Sequence, residues 1–476
     1  MLRRAGAAAL LLVLGGCALT PQFGPSAPLA RHDDACLALF AELDEAIDRA
    51  GLRDGQHHRP AGFPYLRVSR PLASFADALS AAQQAGWLAH LRALDREARD
   101  IELGNLGDAA WLARRAELDA CAANLLAVDQ ADPARMAALR ARAAVPDDYS
   151  FLARTLSAYP LGRVFLAQGI KGYQRAVRED FARPLTQLEP RGELMLWRPD
   201  AAQRVDQDAA VALTRAAPRD ALGIPRLDAD QWQQLFAAWA PAFVIDTASP
   251  AGWPGQPRPG AGFKSTPTVY LQPGWTRFGD EVLVQLSWVV WFSERVPKSA
   301  LDPYAGALDG VIWRLTLGAD GRPLVYDSIH PCGCYHLYFP ARALARQASA
   351  RWQEPALQPQ GVVAWTPPAI WINAGDHYIR RVLPLPVAED LAGPARALES
   401  RPLDELRSLE AEDGGRRSLY RPDGLIAGTQ RPERWWLWPS GVISPGAMRQ
   451  WGRQATAFVG RAHFDDAFVL ERIYSP

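Results

Sequence analysis

The chain lacks the charge excess that would attract nucleic acid. Its 52 basic residues are balanced by 52 acidic residues, so the formal net charge is zero. Lysine is scarce, and no run of lysine or arginine stands out. Because phosphate binding needs a clustered positive surface, we expect no nucleic acid partner.

The sequence also lacks the motifs of several well-known enzyme sites. It contains no glycine-rich phosphate loop, no Gly-x-Ser-x-Gly elbow, no His-Glu-x-x-His and no Cys-x-x-Cys. After the N-terminal leader, no apolar run is long enough to form a transmembrane helix. The sequence therefore assigns neither a reaction nor a substrate, and it leaves open whether the protein is an enzyme.

What is present begins with an N-terminal leader. Two arginines precede a short apolar run that ends in Leu14-Gly-Gly-Cys17. This pattern resembles the lipobox of bacterial lipoproteins. The resemblance implies removal of residues 1–16 as a signal peptide and attachment of lipid, palmitate included, to Cys17. Because Ala18 follows, it also implies a lipid anchor in the outer membrane, with the body facing the periplasm.

Residues 17–31 are rich in proline and predict a flexible lipidated tether. An uncleaved signal anchor and a plain secretory peptide are the alternatives to the lipoprotein interpretation. The body resembles a type of envelope lipoprotein with no established activity. Beyond the membrane, the sequence identifies no partner, whether protein or glycan.

The rest of the chain predicts an α+β fold in two parts. Apolar residues recur at helical spacing within 32–240, which predicts a mainly helical domain. Residues 241–476 alternate apolar and polar positions, most strictly in 281–292, which predicts a largely antiparallel β domain. Further strands are expected at 267–272, 361–366 and 369–374, a hairpin at 309–329, and a C-terminal helix over 445–459.

Four cysteines remain after Cys17. Cys36 and Cys121 each lie on the apolar stripe of a predicted helix, so packing of the two stripes would bring the thiols together. An oxidising compartment permits the disulfide bond that we predict between them. The alternative is two buried free thiols that pack as small apolar groups.

A second group of sulfur and imidazole side chains lies in the segment "HPCGCYH". It contains His330, Cys332, Cys334 and His336, and the proline and glycine between them favour a turn at the rim of the sheet. Thiolates and imidazoles are ligands for zinc and copper. Since four ligands from seven residues are crowded, His377 is the best candidate for a ligand from elsewhere, followed by His463.

Three interpretations of this segment stay open. It binds zinc or copper, it carries a strained redox-active Cys332–Cys334 disulfide, or the same disulfide only fixes a loop. Two classes of function follow: a lipid-anchored enzyme or metal-handling protein, and a non-catalytic binding or assembly lipoprotein. The aromatic run 434–439 could stack sugars, although packing in the core is the more ordinary use of such residues.

Overall fold

A computed structural model describes residues 34–77, 79–200, 206–348, 353–363 and 367–476. The predicted α+β class is confirmed: a helical N-terminal region precedes a ten-stranded, strongly curled sheet. The predicted signal peptide, the lipidation site Cys17 and the tether lie outside the described residues.

The helices are concentrated before residue 183. In chain order they are α1 (Asp34–Ala50), α2 (Arg70–Ala73), α3 (Ala81–Leu106), α4 (Ala109–Ala113), α5 (Arg115–Ala131), α6 (Pro133–Arg142), α7 (Phe151–Leu156), α8 (Tyr159–Ala182), α9 (Gln207–Ala216), α10 (Ala229–Ala238), α11 (Leu385–Ala392) and α12 (Arg434–Leu437).

Local sequence explains where these helices begin. Ser80 caps α3 in a reciprocal arrangement with Gln83, and Asp228 does the same for α10 with Gln231. These side chains satisfy backbone N–H groups that have no partner in the first turn.

The predicted Cys36–Cys121 disulfide is confirmed. It joins α1 to α5 with 5.2 Å between the two Cα atoms. The apolar stripe of α1, which includes Phe40, Leu43 and Ile47, packs into the same buried cluster. The disulfide therefore connects two helices that already bury their apolar faces against each other.

The sheet contains ten strands in the order β11-β10-β2-β1-β12-β5-β6-β7-β8-β9. Three neighbouring pairs are parallel (β1–β12, β2–β10 and β5–β12), and the other pairs are antiparallel. These strands are β1 (Leu194–Pro199), β2 (Ala242–Asp246), β5 (Thr268–Phe278), β6 (Glu281–Arg295), β7 (Gly306–Leu317), β8 (Pro323–Ile329), β9 (Leu337–Pro340), β10 (Ala369–Ile372), β11 (Ile379–Leu383) and β12 (Arg396–Pro402).

Two small ribbons accompany the sheet. They pair β3 (Gln256–Arg258) with β4 (Gly262–Lys264), and β13 (Leu409–Glu410) with β14 (Arg416–Arg417).

The curl of the sheet brings its two edges close to one segment, 357–363. Val363 donates its backbone N–H to the carbonyl of Pro340 at the end of β9. On the other side, the Gln360 side chain bonds to both backbone groups of Val382 in β11. The large apolar core therefore lies inside an almost closed wall.

Strand β6 is buried on both faces. Its alternating residues Leu286, Trp288 and Val290 enter the main core, as the alternation predicts. On the other face, Val289 and Trp291 enter a second cluster. The second face is covered by the loops of the C-terminal part, which the alternation in 281–292 does not reveal.

The predicted C-terminal helix over 445–459 is wrong. This segment is turns and isolated bridges, and six consecutive residues, 445–450, are buried. A helix would turn some of these residues away from the core. Gly446 and Gly452 adopt positive φ values of 79° and 81°, which a helix does not accommodate.

Two other expectations change in detail. The sheet begins with β1 at Leu194, before the predicted transition at residue 240. The predicted strand over 361–366 falls partly outside the described residues, and residues 361–363 are irregular. Buried ion pairs connect the helical region to the C-terminal part, including Asp54 with Arg407 at 2.9 Å and Arg70 with Asp465 at 3.0 Å.

Candidate functional site

The segment 330–336 forms the loop between β8 and the edge strand β9. Its turn is closed by two backbone hydrogen bonds: His330 N–H donates to the Cys334 carbonyl at 3.0 Å, and Gly333 N–H donates to the His330 carbonyl at 2.8 Å. Gly333 has a φ of 92°, and a Cβ there would lie 2.2 Å from the Ala455 carbonyl oxygen. Only glycine fits this position.

Asp309 in β7 lies beneath the loop and holds two imidazoles. Nδ1 of His330 and Nδ1 of His377 each lie 3.0 Å from one of its carboxylate oxygens. The Arg431 guanidinium is 3.7 Å away. All four side chains are buried, so this carboxylate is the centre of a charged cluster inside the protein.

Burial and charge oppose each other at Asp309. Burial alone would raise the pKa of its carboxyl group, but His330, Arg431 and the hydrogen bonds from both imidazoles hold it well below its usual value. Burial lowers the pKa of His330, and the favourable contact with Asp309 only partly compensates. A neutral His330 that donates from Nδ1 presents an unprotonated Nε2.

The second imidazole, that of His377, is held by ring stacking and by a backbone carbonyl. His377 is fully buried and stacks on Phe292 with 3.9 Å between ring centroids. Its Nε2 lies 3.3 Å from the Ala251 carbonyl oxygen. His377 is therefore brought next to His330, as predicted, but both of its nitrogens already face protein oxygens.

Cys332 and Cys334 are free thiols on the same turn. Hydrogen bonding with Cys334 lowers the pKa of Cys332, against the effect of burial, and the same interaction together with burial raises the pKa of Cys334. Of the two thiols, Cys332 therefore ionises more readily. Cys332 is 3% exposed, whereas Cys334 is half-buried and more accessible.

Arginines surround this turn. Arg449 donates from Nε to the Cys332 carbonyl at 3.2 Å, and its backbone N–H donates to the Pro331 carbonyl. The charge of Arg431 contributes to lowering the pKa of Cys332. Cys332 thus lies in a buried environment with positive charge nearby.

On the other side of His330, an arginine and two tyrosines form a separate contact. Arg295 donates to the Tyr378 hydroxyl at 2.8 Å and to the Tyr335 hydroxyl at 3.4 Å. The Tyr335 ring meets the His330 ring edge-on at 4.9 Å. These rings cover the imidazole and restrict access of water to it.

His336 is not part of the same group. Its Nε2 lies 2.8 Å from Asp327, which also accepts hydrogen bonds from Arg314 at 2.9 and 2.6 Å. The two histidines of the loop therefore contact different aspartates. His463 belongs to a third group, in which its Nε2 accepts a hydrogen bond from the backbone N–H of Asp148.

Backbone strain is concentrated at this site. Leu308, Tyr335 and His377 adopt positive φ values of 54°, 63° and 54°, in a region that costs non-glycine residues energy. Each of them lies next to or within the cluster around Asp309. The surrounding packing holds these conformations in place.

Sequence reasoning did not select Asp309 as a site residue. In the structure it is part of β7 and pairs with Phe292 of β6. A lone carboxylate before a strongly apolar strand was the available signal, since a buried charge needs partners. Arg431 and Tyr378 gave no comparable signal, because segments far along the chain bring them here, and Arg295 ends the neighbouring strand β6.

Within the part of the chain that the structure describes, no three His, Cys, Asp or Glu side chains are grouped to hold a metal ion. No helix in those ranges combines the length and apolarity needed to cross a bilayer. Comparisons with protein-family models, with curated proteins and with solved structures find no match for this chain.

Proposed function

We propose that this chain is a lipid-anchored protein of the bacterial envelope whose Cys332-Gly333-Cys334 turn cycles between a dithiol and a disulfide. The observation that carries the proposal is that two free thiols, one residue apart, lie on one tight turn closed by two backbone hydrogen bonds, with Cys334 only half-buried. The thiolate is the reactive form of cysteine, and nearby positive charge favours it.

The reaction needs a disulfide-bearing partner. Cys334 passes its proton to Cys332 through their hydrogen bond and attacks one sulfur of the partner's disulfide, which gives a mixed disulfide. Cys332 then loses its proton, attacks the Cys334 sulfur and releases the partner as a dithiol. The pair gives up two electrons; one of the protons on the released thiols comes from Cys332 and the other from water.

Titration against glutathione redox buffers tests this proposal. We expect alkylation and mass spectrometry to find Cys332 and Cys334 converting together from two thiols to one disulfide across the series. The Cys36–Cys121 disulfide stays oxidised and serves as an internal reference. A Cys334→Ser variant should leave Cys332 unable to form the intramolecular bond. A pair that stays in one state at every ratio would contradict the proposal.

A second proposal for the same turn is a soft metal ion. Cys332 and Cys334 can supply two thiolates, and the unprotonated Nε2 of His330 is a further nitrogen ligand. Two sulfur ligands suit monovalent copper. Adding His330 as a third ligand, or His336 or His377 for the four ligands that zinc needs, requires a rearrangement of the loop, because these side chains are not grouped among the described residues. Elemental analysis of the purified protein should then find a stoichiometric metal that Cys332→Ser removes, whereas a metal-free protein would exclude this proposal.

The location of the protein rests on the lipobox. Lipid on Cys17 anchors the chain to the outer membrane, with the body in the periplasm, where disulfide chemistry is permitted. Cys17→Ser should remove the protein from the washed outer-membrane fraction, because neither cleavage before this residue nor lipid attachment to it can take place. Retention of the variant in washed outer membranes, at the mass of the processed protein, would contradict the lipid anchor.

A further inference from the structure

Exposed apolar side chains are concentrated on one part of the surface. Sixteen large apolar side chains are exposed among the described residues, and nine of them lie on α7, the first half of α8 and residues 435–438. Phe165 is 80% exposed, Phe151 75% and Leu161 73%. The nine residues, which we name the α7–α8 face, are Phe151, Leu152, Leu156, Leu161, Val164, Phe165, Trp435, Trp436 and Trp438.

The three segments of this face are in direct contact. Arg154 in α7 donates to the Ser440 carbonyl at 2.6 Å, and the Ser150 N–H donates to the Gly441 carbonyl at 2.6 Å. The same 3₁₀ turn after α12, Trp438–Ser440, packs against both α7 and α8. The apolar side chains therefore belong to neighbouring elements held together by hydrogen bonds. Contiguous apolar surface of this extent marks an interaction site.

Basic residues predominate along α7 and α8. From Ser150 to Arg178 the sequence contains five basic residues and no acidic residue. Along α8, the exposed residues of one broad face change from apolar to basic. Leu161 and Phe165 lie in the first half of the helix, and Lys171 and Arg175 follow them. The basic part lines a cleft of about 440 Å³ that Lys171, Arg175 and Arg178 share with Gln174, Glu179 and Ala182.

We propose that the α7–α8 face docks on the surface of a bilayer that contains anionic phospholipids. Phenylalanine, leucine and tryptophan enter the boundary between headgroups and acyl chains, and the adjacent cations attract lipid phosphates. Large apolar residues beside an excess of cations are the complementary pattern for such a surface. This contact is separate from lipid on Cys17, and it would orient the body on the membrane.

Vesicle binding by the processed chain, residues 17–476, carrying Cys17→Ser tests the proposal without the lipid anchor and without the apolar leader. We expect sedimentation with phosphatidylethanolamine/phosphatidylglycerol vesicles, and much less with phosphatidylcholine vesicles or in high salt. Adding Phe165→Ser and Trp436→Ser should weaken binding at least about tenfold, because the apolar insertion is lost. Lys171→Glu with Arg175→Glu should weaken binding to the anionic vesicles only.

Leu112→Ser is the matched control. Leu112 is 46% exposed on α4, which packs against α3 and α5, so this variant should bind vesicles as the parent does. Unchanged thermal unfolding of all variants verifies that the fold is intact. Two results would overturn the proposal: vesicle binding that is absent or insensitive to the α7–α8 variants, and a dimer in light scattering that these variants dissociate, which would assign the face to a second copy of the chain.

Discussion

Asp309 connects three parts of the chain through one carboxylate. It lies in β7, and its contacts come from His330 in the β8–β9 loop, His377 before β11, and Arg431 before α12. Removing one partner from such a buried group leaves an uncompensated charge inside the protein. This lowers the free energy of unfolding far more than the loss of a surface ion pair does.

We expect Asp309→Asn to lower the free energy of unfolding by roughly 3–5 kcal/mol, because Arg431 stays buried without its anion. Asp320→Asn is the control, since Asp320 pairs with Arg342 at the surface, where both side chains are at least 40% exposed. Its effect should be within about 1 kcal/mol. Urea denaturation measures both values, and equal effects would contradict the central role of Asp309.

Ionisation of Glu433 makes the stability of the folded protein depend on pH. Burial raises the pKa of its carboxyl group to about 7, although Arg431 and Arg295 oppose the shift. The folded protein therefore prefers the protonated form, whereas the unfolded chain ionises near pH ~4.3. Protonated Glu433 therefore contributes to the free energy of unfolding. This contribution is fully present below the pKa of the unfolded chain and is lost as the pH rises through about 7.

We therefore expect wild type and Glu433→Gln to be similarly stable near pH 4.5, with wild type becoming progressively less stable than the variant up to pH 8. Because the uncharged amide mimics the protonated acid, the difference isolates this one group. Urea midpoints at four pH values measure it. Glu410→Gln, at an exposed position, is the control and should show no such trend. A difference independent of pH would contradict ionisation of Glu433 inside the folded protein.

Among the elements, the β8–β9 loop depends most on a single backbone conformation. Gly333 lies under the 445–459 segment, where the Ala455 carbonyl leaves no room for a side chain. The sequence predicted a turn here, because proline and glycine interrupt the strand. That the turn packs against residues 449–455 was not predictable, since a helix was expected there.

We expect Gly333→Ala to lower the free energy of unfolding by at least about 2 kcal/mol. The new Cβ would clash with a backbone oxygen, and the positive φ is unfavourable for alanine. Its effect on the turn should also slow formation of the Cys332–Cys334 disulfide. Gly361→Ala is the control, since no atom lies within 4 Å of its added Cβ. Chemical denaturation and the glutathione titration test both parts, and equal behaviour of the two variants would refute the steric argument.

At the scale of the whole molecule, one disulfide and several buried ion pairs stabilise the arrangement. The Cys36–Cys121 bond spans 85 residues, from the start of α1 to the first half of α5. In the chain-entropy model, a loop of this length stabilises the folded state by roughly 4–5 kcal/mol.

We expect Cys36→Ser with Cys121→Ser to lose roughly that amount of unfolding free energy. Dithiothreitol should lower the stability of wild type but leave the double variant almost unchanged. Urea denaturation with and without the reductant makes the comparison. A wild type as stable in reductant as without it would show that the disulfide contributes little.

Features that depend on local pattern could be predicted from the amino-acid sequence. Helical spacing placed Cys36 and Cys121 on stripes that pack together, alternation defined β6, and Asp320-Gly321 marked the β7–β8 hairpin. These signals are short-range, because caps, turns and periodicity act within a few residues.

Which side chains meet depends on how distant segments pack together. His330 and His377 both contact Asp309, whereas His336 contacts Asp327. The segment 445–459, where a helix was expected, is irregular and packs against the Cys332–Cys334 turn. The tryptophans of 434–439 are exposed instead of in the core. These contacts join residues far apart in sequence, and the pairing of such residues is set by the packing of the whole chain and leaves no periodic trace in any one segment.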